Sequence, residues 1–447
     1  MLDLSINCGG IKSPNPFWLA SAPPSNSAYQ NCKAFDAGWG GTVWKTIGEP
    51  VMNVCNRYGG LEINGQKLLA INNVELISDR DIKTNLREIA ETKKLFPDRA
   101  VITSLMVESK REVWHDIVKR TLDTGCDGIE LNYGCPHGMS ERGMGAAVGQ
   151  VPEYCQMITE WVMEVSTIPV LVKLTPNVGD IRFPARAAKR AKANGVSLIN
   201  TINSIMGVDL DTFELKPNVG GKGGHGGFAG AAVKPIALNM LSQVANDKEV
   251  QLPISGIGGI STWKDAVEFM LLGATSVQLC TAVMHYGFRI INDLTEGLSN
   301  WMEEKGFTSC NDFIGKSLHR IDDFGNFDLL FHSVARIDAS KCIHCNLCYV
   351  ACEDTAHQCI DLKPFDGNGH KKELNTEFAM FQPEVREKDC VGCALCSLVC
   401  PVEGCITMIK LPQHDSKTWN QLVKELPQPM TWESLREFQK KYGIEIH

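Results

Sequence analysis

From residue 17 to residue 282 the chain repeats one pattern eight times: a short apolar run, then a polar or amphipathic stretch. The runs Phe17–Ala22, Gly41–Thr46, Ala100–Met106, Gly128–Asn132, Val170–Thr175, Ser197–Asn203, Pro253–Gly258 and Ser276–Ala282 have the length and continuity of strands buried on both faces. Helical periodicity marks Ile82–Phe96, Lys110–Thr124, Pro152–Val165, Ile181–Ala193 and Thr262–Leu272 between them. Pro152 and Pro235 suit a first helical turn, where a missing N–H costs nothing, and Lys189 to Gly195 ends a helix on basic residues and glycine. A short hairpin about Gly9-Gly10 precedes the first run. The predicted fold class is α/β, a (β/α)8 TIM barrel over residues 1–305, with a doubly wound sheet as the alternative.

A barrel of this kind builds its site at the C-terminal ends of its strands. Those ends carry Ser21, Lys45 and Thr46, Asn132 to Cys135, Lys173, Asn200 and Thr201, Gly258 and Gly259, and Cys280 and Thr281, whereas the strand starts are Pro, Gly and small residues. Ile257-Gly-Gly-Ile-Ser-Thr262 and the Gly-rich stretch Gly220–Gly230 each precede a helix, as a phosphate cradle would; a plain tight turn is the other meaning. Lys45 and Lys173 lie inside apolar runs, which suits a buried anion or an electron-rich ring, though a strand lysine can also snorkel outward. Within Asp127–Gly145 an apolar run stops at Asn132 and delivers an amide and the Cys135 thiol to one rim. Cys135 reads as a proton donor or acceptor, against the competing reading of an inert buried cysteine.

After Arg336 the pattern changes. Of 18 cysteines in the chain, ten fall between Cys342 and Cys405. Cys342, Cys345, Cys348 and Cys352 repeat the spacing of Cys390, Cys393, Cys396 and Cys400, the C-x2-C-x2-C-x3-C run of a two-cluster [4Fe–4S] ferredoxin. In that arrangement the fourth cysteine of each run serves the other cluster. The expected quartets are Cys342, Cys345, Cys348 and Cys400, and Cys390, Cys393, Cys396 and Cys352; zinc fits such quartets poorly. Pro401 follows the second run and Glu353 the first, a departure, while Cys359 and Cys405 are spare and assigned to packing. The expected organisation is a connector over 306–334, a small α+β ferredoxin-like domain over 335–410, and a tail over 411–447 with a short helix, Trp432–Tyr442. The insert Asp361–Val385 is expected to be loop with a short hairpin.

Net charge of -8 with no basic block argues against a nucleic-acid partner. No apolar run approaches the roughly 20 residues of a membrane span, and the start lacks a signal-like segment, so a cytoplasmic protein is expected. No Gly-x-Gly-x-x-Gly follows a strand with an acidic residue about 20 positions on, so no dinucleotide domain is evident.

At Asn132-Tyr-Gly-Cys-Pro-His-Gly-Met-Ser-Glu-Arg-Gly-Met-Gly145, together with Lys173-Leu-Thr-Pro-Asn177, the chain closely resembles the dihydropyrimidine dehydrogenases, in the form where flavin barrel and ferredoxin share one subunit. The barrel is also similar to that of dihydroorotate dehydrogenases. The resemblance runs from about Leu4 to Met408. It implies an NAD-linked oxidoreductase acting on CH–CH groups, which interconverts uracil or thymine and the 5,6-dihydropyrimidine. It implies FMN held by Ser21, Lys45, Thr46, Asn132, Lys173, Gly230, Ile257, Gly258, Gly259, Cys280 and Thr281. Cys135 would be the acid/base residue. Asn73, Asn132, Tyr133, Gly134, Asn200 and Thr201 would contact the substrate. Electrons would come from a flavoprotein subunit holding FAD and NAD(P)H, pass through the two clusters and reach FMN, which implies a hetero-oligomer.

The residue chemistry agrees with these implications. Asparagine offers one acceptor and two donors, enough for several to satisfy a flat ring of C=O and N–H groups. A thiol of ordinary pKa, about 8.5, is protonated at neutral pH yet able to ionise. Two departures stand out: Gly134 replaces the usual Ser before the cysteine, and Gly226-Gly-Phe-Ala-Gly230 replaces Gly-Gly-x-Ser-Gly. They leave open another cyclic substrate such as dihydroorotate. An electron-transfer subunit with a purely structural barrel is the remaining alternative.

Overall fold

The computed structural model describes residues 2–49, 51–60, 70–135, 143–365, 380–412, 416–426 and 431–441. The loop after Cys135 (136–142), the centre of the insert (366–379) and Tyr442 therefore lie outside the described residues. The chain divides into two compact units, Met1–Arg320 and Ile321–His447, and the division falls inside the stretch read as a connector.

In the first unit eight parallel strands close on themselves in sequence order. They are β1 (Phe17–Leu19), β2 (Gly41–Ile47), β3 (Ala100–Leu105), β4 (Gly128–Asn132), β5 (Val170–Lys173), β6 (Gly195–Leu198), β7 (Ile254–Ile257) and β8 (Ala274–Leu279). Closure by β8 on β1 (Val277 opposite Phe17) rules out the doubly wound sheet. Nearly every strand residue is buried, because the barrel interior covers one face and the helices cover the other. That is why these strands read as apolar runs rather than as alternating ones. Helices over Ala28–Ala37, Ile82–Leu95, Arg111–Leu122, Pro152–Met163, Arg182–Arg190, Lys234–Asn246 and Trp263–Leu271 return the chain between strands. Ser27, Asp81 and Thr262 cap three of them by accepting from backbone N–H groups. The expected hairpin, Ile6–Cys8 paired with Ile11–Ser13, sets Ile11 against Gly128, the first residue of β4.

One strand expectation needs correcting. The run Ser197–Asn203 is not a single strand: β6 ends at Leu198, and Ile202–Ser204 belongs to a separate four-stranded antiparallel sheet. That sheet joins Ile202–Ser204, Gly226–Ala229, Ile71–Asn73 and Tyr58–Gly60 in this order. It draws on the loops after β2 and β6 and brings Asn73 beside Gly227.

In the second unit Ser333–Ile337 pairs antiparallel with Ile406–Lys410, so its sheet starts just before residue 335. The insert forms the expected hairpin, Ile360–Phe365 with Met380–Val385. Val334, Ala335, Ile360 and Ile406 share a small core with buried cysteines. The tail contains the helix Trp432–Lys441 and a second one, Trp419–Glu425, which the sequence reading missed. Thr418 and Gln421 form a capping box at its start, and Asn420 donates to Asn326 at 3.0 Å. Among the described residues no helix is long and apolar enough to cross a membrane.

Candidate active site

The C-terminal ends of the barrel strands open into a cleft of about 1120 Å³. The register of β4 and β5 puts Asn132 directly opposite Lys173, so two expected site residues are neighbours by strand pairing alone. Lys45 enters from β2, Gln278 from β8, and the four-stranded sheet and the loop after it supply Asn73 and Glu75. Cys135, Asn73, Asn132, Asn200, Thr201, Ser21, Lys45, Thr46, Lys173, Gly230, Ile257, Gly258, Gly259, Cys280 and Thr281 all line this one cleft.

Tyr133 and Gly134 do not, and for Tyr133 the side-chain expectation is corrected. Its ring is 1% exposed and packs edge-on against Trp114, and its hydroxyl lies 3.2 Å from that of Thr159. It belongs to the packing between barrel and helices because alternate strand-end residues face opposite ways. Gly134 has a different constraint. A Cβ there would lie 2.4 Å from Asn200 Nδ2, so the missing side chain is what lets the Asn200 amide lie over it.

A hydrogen-bond network fixes the amides. Asn132 Oδ1 accepts from Gly134 N at 3.2 Å and from Asn200 Nδ2 at 3.1 Å. Asn132 Nδ2 donates to Thr46 Oγ1 at 2.9 Å, and the Thr46 hydroxyl also lies 3.0 Å from Ser21 Oγ and 2.9 Å from Ser104 Oγ. Asn200 Oδ1 accepts from Thr201 N at 2.8 Å, and Asn73 Nδ2 donates to Gly227 O at 3.1 Å. Each amide keeps a donor unspent on these bonds, and their orientations are set before any ligand arrives. Cys135 is buried with Ile77, Met106 and Met144, and its carbonyl accepts from Ala146 N at 3.0 Å.

The cleft floor is charged. Lys45 and Lys173 are each 5% exposed. Lys45 Nζ donates to Glu75 Oε1 at 2.7 Å, and the Tyr58 hydroxyl donates to Glu75 Oε2 at 2.8 Å. Burial, reinforced by the Glu75 carboxylate, pushes the Tyr58 hydroxyl well up, so it remains a donor. Lys173 Nζ lies 3.7 Å from Glu130 Oε1, inside the barrel. Sequence reasoning missed Tyr58, Glu75, Glu130 and Gln278. For Glu130 the available signal was a charged residue between Ile129 and Leu131 in a wholly buried strand, the same signal that marked the lysines. Cys280 is the second cleft thiol; burial pushes it up to about 12, so it stays protonated at neutral pH.

The residues present fit a phosphate-bearing flavin. Gly259 has φ +78, and a Cβ on it would lie 2.8 Å from the backbone N of Lys234, so the Gly258-Gly259 turn rests against the start of the helix Lys234–Asn246. Such a start presents backbone N–H groups to an anion. Ser21, Thr46 and the two lysines add donors to the same cleft.

The second unit holds two cavities, of about 350 and about 310 Å³. The larger is lined by Cys352, Cys390, Cys393 and Cys396, and the smaller by Cys342, Cys345, Cys348 and Cys400, the two crossed quartets. Cys359 lines the first and Cys405 the second, so the spare cysteines sit beside the quartets; Cys359 Sγ lies 3.4 Å from Cys352 Sγ. Among the described residues no three His, Cys, Asp or Glu side chains converge on a point as they would around a single ion. The thiols surround a volume, as the ligands of an iron–sulfur cubane do. The loops repeat one backbone conformation: His344 and Gly392 have φ 57 and 73, and Asn346 and Ala394 have φ 58 and 65. Three of these four are not glycine, and such conformations persist only where the surroundings over-determine them, as a wrapped cluster does.

The family model described as dihydroorotate dehydrogenase matches residues 4–302, and that described as a 4Fe-4S dicluster domain matches 335–408. The chain is 40% identical over 409 residues, 91% of its length and 95% of the relative's, to the NAD-dependent dihydropyrimidine dehydrogenase subunit PreA of Escherichia coli strain K12. It is 40% identical over 328 residues, 71% of this chain and 77% of the relative, to the chloroplastic dihydropyrimidine dehydrogenase (NADP(+)) of Arabidopsis thaliana. With the dihydroorotate dehydrogenase B (NAD(+)) catalytic subunit of Pyrococcus abyssi it shares 36% identity over 315 residues, 70% of this chain and 99% of that one.

Proposed function

Because the chain belongs to the dihydroorotate dehydrogenase family and carries a 4Fe–4S dicluster domain, we propose that it is the catalytic subunit of an NAD-dependent dihydropyrimidine dehydrogenase. The reading rests above all on one observation: Cys135, three asparagines and Thr201 share a cleft with two buried lysines and a glycine turn against a helix start. Asn73, Asn132, Asn200 and Thr201 hold the pyrimidine edge in plane, and their amides are already oriented by the network around Asn132. Cys135 gives a proton to one carbon of the C5=C6 bond in reduction and takes it back in oxidation. FMN, when bound, supplies hydride chemistry at the other carbon. Lys45 and Lys173 would place positive charge beside the flavin. Gly230, Gly258, Gly259 and Thr281 hold the phosphate.

The cysteine quartets would hold two [4Fe–4S] clusters, which would supply one-electron chemistry toward a second protein. That protein is a flavoprotein subunit carrying FAD and the NAD(P)H site. The relative's description as a subunit supports this partnership. The free thiols of the chain suit the reducing cytoplasm. A screen of the photoreduced protein against uracil, thymine and orotate tests the assignment by following return of the oxidised flavin spectrum. Reoxidation by uracil and thymine is expected. Silence with both and a response to orotate would instead favour the dihydroorotate reading, which the Pyrococcus relative and Gly134 support.

A further inference from the structure

The two lysines of the cleft floor are compensated in different ways. Lys45 is in tight contact with Glu75, at 2.7 Å. The Lys173 ammonium makes no hydrogen bond among the described residues, and its ion-pair partner Glu130 stands off at 3.7 Å. Glu130 is 0% exposed. Its Oε2 accepts from Gln278 Nε2 at 3.0 Å, while its Oε1 has no hydrogen-bond partner. Gln278 Nε2 also reaches Ser255 Oγ at 3.0 Å and Ser197 Oγ at 3.4 Å, so its two N–H groups are divided among three acceptors.

A carboxylate this deep is costly unless a cation answers it, and removing either partner strands the other. Apolar residues of similar size would pack a barrel core at least as well, so stability alone does not explain the pair. Attraction between charges falls only as the inverse of distance, so Glu130 holds Lys173 without consuming its N–H groups. The three ammonium donors remain available to a ligand in the cleft. Charge beside a flavin ring tunes its electronics.

We propose that Glu130 is a positioning residue: it is the buried counter-charge that keeps Lys173 at the cleft floor, and it thereby sets the reduction potential of the bound flavin. This rests on the flavin reading given above. Glu130→Gln keeps the shape of the side chain and leaves the Lys173 charge uncompensated, which favours the more electron-rich reduced ring.

The test is the flavin midpoint potential, measured by redox titration of the full-length, flavin-loaded protein. Glu130→Gln shifts the potential to more positive values. Glu130→Asp keeps the charge but withdraws it by one methylene, and shifts the potential the same way by less; it also serves if Glu130→Gln fails to accumulate. On a Lys173→Met background Glu130→Gln produces a smaller shift, because only the direct field of the Glu130 charge is then lost and not its hold on Lys173. A flavin-loaded Glu130→Gln protein with the wild-type potential overturns the role of Glu130, whatever happens to its melting temperature. An equal shift on both backgrounds overturns action through Lys173. Wild-type protein that binds no flavin overturns the underlying reading, and this inference with it.

Discussion

The barrel cleft gathers side chains from positions as far apart as Ser21 and Thr281, delivered by many different strand ends and loops. The two cysteine cavities draw their quartets from just two short runs, 342–352 and 390–400. In the cleft, geometry depends on closure of the whole barrel. In the cavities, geometry is written into the local backbone, with positive φ at matching positions of the two runs. The same thiols there both form the site and fill much of the small core. The contrast separates two kinds of sensitivity: the cleft loses chemistry while keeping its fold, and the cysteine unit loses both together.

Substitutions in the cysteine unit should have the largest effect. Cys352→Ala and Cys390→Ala remove the same cluster, and Cys342→Ala removes the other, each with loss of about half the iron. Iron and labile-sulfide analysis, with spectra of the surviving cluster, checks this. The crossed arrangement is wrong if Cys352→Ala and Cys342→Ala leave the same species behind. In all three variants the barrel retains flavin.

Gly259→Val should act on the cleft alone. Its φ of +78 and the 2.8 Å approach of a Cβ to Lys234 N force the turn to move. Strain of about 1–3 kcal/mol weakens FMN binding by about 5- to 150-fold, read by fluorescence titration, with iron content unchanged. Unaltered affinity would detach the turn from the cofactor. Tyr133→Phe should have the smallest effect. Loss of the buried contact with Thr159 lowers stability by about 1 kcal/mol and leaves uracil affinity as it was. A weakened uracil complex with normal stability would return Tyr133 to the site.

The same contrast explains what could be read from the sequence. The cysteine runs carry their geometry in their spacing, so the quartets were legible at once. The barrel was legible because strands buried on both faces are continuous apolar runs. Beyond β6 this rule misled: Ile202–Ser204 continues the apolar run but pairs with Gly226–Ala229 in the small sheet. That sheet is built of short polar pieces from distant loops, and no local pattern announces it. Tyr58 and Glu75 come with it and were missed for that reason. The Tyr133 side chain turns into the packing because a motif specifies position along the chain, while the direction of a strand-end side chain depends on which face the core occupies. Glu130 needed only the attention given to Lys45 and Lys173.

The central claim is that Cys135 supplies the proton when the cleft reduces a pyrimidine, and a single-turnover experiment addresses it most directly. Anaerobic protein with its flavin photoreduced is mixed with uracil, and return of the oxidised flavin spectrum is timed alongside formation of dihydrouracil. In the wild type both proceed together. In Cys135→Ala, with flavin and iron content unchanged, both slow by about 10²- to 10⁴-fold. Equal rates in the two proteins would contradict the role assigned to Cys135.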